Sequence, residues 1–164
     1  MAGHVYLVGM PGSGKSRVGR LLAGSLGTSF VDLDAEVEAS AGASVRAIFE
    51  SEGEAGFRDR EADALRRAAG GSPVVVACGG GAVLRPENVE RMRSTGTVVH
   101  LDAPAEVLAG RVEGTGDRPL LTDGAALARL HADRAAAYRA AAHVRVDASG
   151  PPEHVAEDIR RALP

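Results

Sequence analysis

The sequence predicts an α/β fold, a three-layer α/β/α sandwich built on a five-stranded parallel sheet. Three observations carry this. Short apolar runs alternate with helical patterns along the chain, and such alternation places helices on both faces of a parallel sheet. The strand candidates read as continuous apolar stretches, not as polar/apolar alternation, as strands covered on both faces require. No internal repeat, low-complexity tract or linker divides the 164 residues, so one domain spanning 1–164 with one core is expected.

Strands are expected over 4–8, 29–32, 74–77, 97–101 and 143–146, and helices over 15–26, 35–41, 45–52, 54–69, 86–94, 104–112, 125–141 and 152–163. The first helix follows from Val18, Leu21, Leu22 and Leu26 on one side. Pro86, Pro104 and Pro152 sit near helix starts, where a missing N–H costs little. The segment 114–124 stands apart. It is Gly-rich and polar, carries Arg118-Pro119, and reads as a mobile surface loop beside a site.

Composition narrows the class. With 45% hydrophobic and 25% charged residues the chain is an ordinary soluble globular protein, and with 3% aromatics and no Trp its core must be Ala, Val and Leu. A net charge of −3 without a basic tail or stripe argues against a nucleic-acid partner. Cys78 is the single cysteine, so a reducing compartment is the simpler reading. There is no signal-peptide pattern after Met1 and no run of eighteen apolar residues, so no membrane association is expected and the location expected is cytoplasmic.

Gly9-Met10-Pro11-Gly12-Ser13-Gly14-Lys15-Ser16 fits G-x-x-x-x-G-K-[ST] in full, between an apolar strand and a helix. The glycines, Gly12 and Gly14 among them, let backbone N–H groups turn inward around phosphate oxygens, and the helix start adds its positive dipole end. Lys15 is expected to bridge the β- and γ-phosphates and Ser16 to ligate Mg²⁺. Lys15 is also the only lysine among the 19 basic side chains. A GTPase-type Asn-Lys-x-Asp base reader therefore has no lysine to use.

Beyond this loop the residues leave alternatives open. Asp102, at the end of the fourth strand, reads either as a metal-binding acid of motor-type ATPases or as a polar lead-in to the helix at Pro104. Asp32 and Asp34 end the second strand, at the edge where α/β folds bind ligands. They could serve Mg²⁺ waters and an acceptor hydroxyl, or a helix start. Glu54 and Glu61 share a helix face with Arg58, either as exposed pairs or as acids orienting a guanidinium for a carboxylate. Gly79-Gly80-Gly81 after the third strand suggests a backbone that a ligand approaches closely. Cys78 reads as a buried small residue. Arg134 lies on a stripe with Leu127, Leu130 and Tyr138, and must snorkel or reach a buried anion.

Together these residues resemble the shikimate kinase family, collinearly from Val5 to the last helix. The resemblance rests on Gly9 to Ser16, Asp32-Leu33-Asp34, Phe57-Arg58 with Glu61, Gly79-Gly80-Gly81-Ala82, Arg118-Pro119-Leu120-Leu121, and Arg134 with Tyr138. It implies a P-loop fold of nucleoside-monophosphate-kinase type that transfers the γ-phosphoryl of ATP to shikimate, with Mg²⁺. It implies that Lys15, Asp34 and Arg118 are catalytic, with Asp32 near the Mg²⁺ waters held at Ser16. ATP would meet Gly12, Ser13, Gly14, Lys15, Ser16, Arg17, Arg111 and Arg118; shikimate would meet Asp34, Arg58, Gly79, Gly80, Gly81 and Arg134. The substrate-binding segment would lie at about 33–61 and a closing lid at about 112–124, on a monomer. Two departures stand out: Arg17 replaces a frequent Thr, and 147–151 lacks an arginine that many relatives place beside adenine. The rival readings are a gluconate-type sugar-acid kinase and a nucleotide-sensing module without catalysis.

Overall fold

Five consecutive apolar or aromatic residues at His4–Val8 are all buried, and they form the central strand β1. In this computed structural model, which describes residues 2–112 and 124–164, β1 lies between β3 (Val75–Ala77) and β4 (Gly96–Asp102), with Val5 opposite Val75 on one side and Thr97 on the other. The edges are β2 (Phe30–Asp32) and β5 (Val144–Asp147), giving the order β2-β3-β1-β4-β5 with every pair parallel. The expected five-stranded parallel sheet is therefore present. The reading of continuous covered strands fails at the two edges, where one flank is open: β2 is only half-buried throughout, and in β5 Val146 is buried while Arg145 and Asp147 are exposed.

Helices α1 (Lys15–Leu26), α2 (Leu33–Ala41), α3 (Val45–Ala69), α4 (Pro86–Thr95), α5 (Ala105–Val112), α6 (Gly124–Ala141) and α7 (Pro152–Ala162) fill the connections. α1 packs on α7, α2 on α3, and α5 on α6. The expected break between 45–52 and 54–69 is a kink inside α3, where Gly53 takes φ 72° and ψ −177°. α2 starts two residues earlier than expected, since Asp32 caps it by accepting from the Asp34 and Ala35 N–H groups.

The core is aliphatic, as the composition requires. Tyr6 is the aromatic exception at the sheet centre, and its buried hydroxyl is matched to Thr95 Oγ1 at 2.7 Å. Because all five strands run the same way, the segments after β1, β2, β3 and β4 emerge at one edge of the sheet. That edge gathers the sequence motifs. The proposed lid and Arg118 lie outside the described residues. No described helix is long and apolar enough to cross a membrane.

Candidate active site

The loop after β1 is shaped by its glycines. Gly12 and Gly14 have φ 83° and 90°, a region open to glycine and strained for side chains. Gly14 caps α1 without any side-chain hydrogen bond, so the first N–H groups of that helix are left for an anion. Lys15 is buried and donates to the Gly9 and Met10 carbonyls at 2.8 and 2.9 Å, so the ammonium braces the loop that surrounds it. Arg111 joins this loop to the segment after β5, donating to Gly12 O at 3.3 Å and to Ala148 O and Ser149 O at 2.7 and 3.0 Å. Arg17 points elsewhere: its exposed guanidinium lies 3.8 Å from Glu153 of α7.

Ser16 Oγ donates to Asp32 Oδ2 at 2.7 Å, while the other Asp32 oxygen caps α2. The helix-start reading of Asp32 therefore holds. This pair of hard oxygens suits Mg²⁺, which takes one or two protein oxygens and fills its shell with phosphate and water. Among the described residues no cluster of three or more His, Cys, Asp or Glu forms a fuller metal cage. The Asp102 carboxylate, just before α5, accepts from Arg145 Nε on the neighbouring strand at 2.8 Å.

The third part of the site is the turn after β3. A Cβ on Gly79 would overlap Glu61 Oε2 and stand 3.3 Å from Asp34 Oδ1. One on Gly80 would lie 3.1 Å from an Arg134 guanidinium nitrogen and from Pro11, and one on Gly81 would overlap the Arg58 guanidinium. Two acids from α2 and α3 and two arginines from α3 and α6 thus converge on three residues without side chains. None of the three glycine N–H groups donates to another backbone carbonyl among the described residues, so the turn offers donors as well as space.

Arg58 is buried, donating to Glu61 Oε1 at 3.1 Å and to Glu54 Oε1 at 3.4 Å. The pair with Glu61 is thus buried, while Glu54 meets the guanidinium from an exposed position. Arg134 is buried too and does not snorkel, which decides one open alternative. Glu61 is fully buried, and its Oε2 lacks a hydrogen-bond partner among the described residues. Burial pushes its carboxyl above the usual carboxylate range, against the opposing pull of Arg58, and Asp34 adds to the rise.

The site thus combines a glycine loop at a helix start, an oxygen pair compatible with a metal, and a corner where buried guanidinium groups meet the glycine turn. A family model described as shikimate kinase matches residues 11–164. The chain belongs to the shikimate kinase family. Family members are ATP-dependent phosphotransferases, and ATP is this chain's co-substrate. The chain is 54% identical over 148 residues to a shikimate kinase of Symbiobacterium thermophilum, covering 87% of this chain and 85% of that one. It is 52% identical over 163 residues to that of Gloeobacter violaceus, covering 97% and 91%. The shikimate kinase structure from Acinetobacter baumannii, in complex with shikimate, superposes with a TM-score of 0.95 at 37% identity, covering 99% and 93%. A gluconokinase from Sinorhizobium meliloti reaches a TM-score of 0.58 at 22% identity over 99% and 94%, a likeness of fold alone.

Sequence reasoning did not foresee two contacts beside the glycine turn. Tyr138 is buried, and its hydroxyl donates to Gly80 O at 2.6 Å across 58 residues of chain. His100 of β4 stacks on that ring at 5.0 Å between centroids. The sequence pointed to Tyr138 only through its place on the Arg134 stripe and its pairing with Arg134 in the family resemblance, without its partner. Cys78 is buried as expected, with Sγ 3.7 Å from Met92 Sδ, and burial pushes its thiol up, away from nucleophilic use.

Proposed function

We propose that this chain phosphorylates the 3-hydroxyl of shikimate with ATP, using the corner around Gly79, Gly80 and Gly81 as its acceptor subsite. The observation that carries this reading is the convergence of buried Arg58 and Arg134 with Asp34 on the three glycines. Two guanidinium groups suit one carboxylate, and their planar forks fix its orientation. Asp34, beside Gly79 of the same turn, orients the acceptor hydroxyl. The loop N–H groups and Lys15 hold the β- and γ-phosphates of ATP. Mg²⁺ held at Ser16, with Asp32 on its waters, would neutralise phosphate charge. Arg118, in the lid expected at about 112–124, would complete charge stabilisation at the transferring group.

Such a site works by positioning and electrostatics, since phosphoryl transfer asks little covalent work of the protein. We take the chain to act as a cytoplasmic monomer, one domain with its acceptor segment at about 33–61. A coupled ADP-release assay with shikimate, gluconate and no acceptor tests the reading. Turnover with shikimate alone is expected. Equal turnover without acceptor, or preference for gluconate, would refute it.

A further inference from the structure

We infer that Tyr138, steadied by His100, is a positioning residue that sets the acceptor subsite by tying α6 to the glycine turn after β3. This inference rests on the acceptor reading above. Arg134 and Gly80 belong to elements far apart in sequence, and their separation decides whether one carboxylate-bearing ligand meets both. Tyr138 lies one helical turn beyond Arg134, on the same side of α6. Its hydroxyl donates to Gly80 O at 2.6 Å, and both groups are shielded from water, so the bond competes with no solvent. In a trans peptide the carbonyl and the next N–H point in opposite directions. Holding Gly80 O from the α6 side therefore also sets the direction of the Gly81 N–H.

His100 fixes the ring that makes this bond. Its imidazole stacks on Tyr138 at 5.0 Å with 26° between planes, a geometry typical of an aromatic pair. Burial holds His100 neutral, down to about 4, so the contact is between two uncharged rings at neutral pH. His100 Nδ1 makes no hydrogen bond among the described residues, so the face of the ring, not this nitrogen, does the holding. Beside the pair lies a small cavity of about 20 Å³ bordered by Met10, Asp102 and His131. A trimmed residue at 100 would enlarge that space, and Tyr138 could tip into it.

Steady-state kinetics on three variants test this. Tyr138→Phe removes one hydroxyl and leaves the ring. It should raise KM for shikimate about tenfold or more, since the hydroxyl's buried bond to Gly80 O and its contact with the Arg134 guanidinium are both lost, with KM for ATP and kcat held within about twofold. His100→Ala should act in the same direction, and His100→Phe, which keeps the stacked face, should restore the wild-type value. A Tyr138→Phe enzyme with unchanged shikimate KM, or with an equal rise in KM for ATP, overturns the inference. So does a His100→Phe enzyme as impaired for shikimate as Tyr138→Phe, a comparison that stands even if the alanine variant does not fold. A wild-type enzyme inactive on shikimate would instead refute the acceptor reading.

Discussion

Each glycine after β3 leaves room that another residue's functional group occupies, which makes the three positions unequal targets. Gly81→Ala puts a methyl group onto the Arg58 guanidinium, the far end of a flexible side chain. Arg58 should swing away from Glu61 while the fold holds, so shikimate affinity should fall by about tenfold or more, and the loss of a buried ion-pair partner should lower the melting temperature as well. Arg58→Ala and Arg134→Ala should each weaken shikimate by roughly 1.5–3 kcal/mol and leave ATP nearly untouched, as calorimetry would show. Normal shikimate binding in both would remove the carboxylate role. Lys15→Met should abolish transfer with unchanged circular dichroism, and retained activity would unseat the loop assignment. The contiguous loop was legible because its chemistry is local: Gly12, Gly14, Lys15 and Ser16 act within one turn of backbone. Arg58 and Arg134 were legible only as alternatives, since burial of a guanidinium is a tertiary fact. The bond from Tyr138 to Gly80 was not legible, because nothing in the chain between them predicts that these elements meet.

Among the elements, α3 shows how one residue divides a long helix. Gly53 holds φ 72° with no heavy atom near a prospective Cβ, so Gly53→Ala meets a backbone cost and no clash. The loss should be about 1–3 kcal/mol in denaturant unfolding, the cost to an L-residue of a positive φ with ψ near 180°, a region essentially reserved for glycine. A neutral result would mean that the kink relaxes into continuous helix. The kink precedes the turn that carries Glu54, Arg58 and Glu61, so the same variant should raise KM for shikimate modestly. Gly53 marked this break in the sequence because glycine is costly in a helix interior. Strand identity was equally legible in the buried centre, where β1 is apolar throughout. At the β5 edge it was only partly so. There Arg145 is released to pair with Asp102 and one flank faces solvent.

For the molecule as a whole, buried titratable groups shape stability against pH. His100 is held neutral to about 4 by burial, below its usual range. Between about pH 6.5 and 4 the unfolded chain therefore binds a proton at this residue that the folded chain refuses, and stability declines as pH falls, by up to about 1.4 kcal/mol per unit. His143, also lowered by burial, acts in the same direction. Glu61, raised by burial, opposes them: the folded protein takes up its proton first, so this contribution fades as pH rises above the ordinary carboxylate range. Comparing wild type with His100→Phe isolates one contribution. The variant should lose less stability on acidification, and denaturant midpoints that run parallel from pH 7 to 4.5 would contradict the assignment.

The burial of Lys15 within its loop has an outcome outside enzymology. It is the sole lysine of the sequence, so every other basic side chain is a guanidinium. Acylating reagents and amine cross-linkers consequently find no lysine amine on the surface, and the one they could reach with difficulty is 8% exposed. Acylation of that side chain, followed by mass spectrometry, becomes a direct gauge of loop occupancy: modification should be slow in the free protein and suppressed further by ATP.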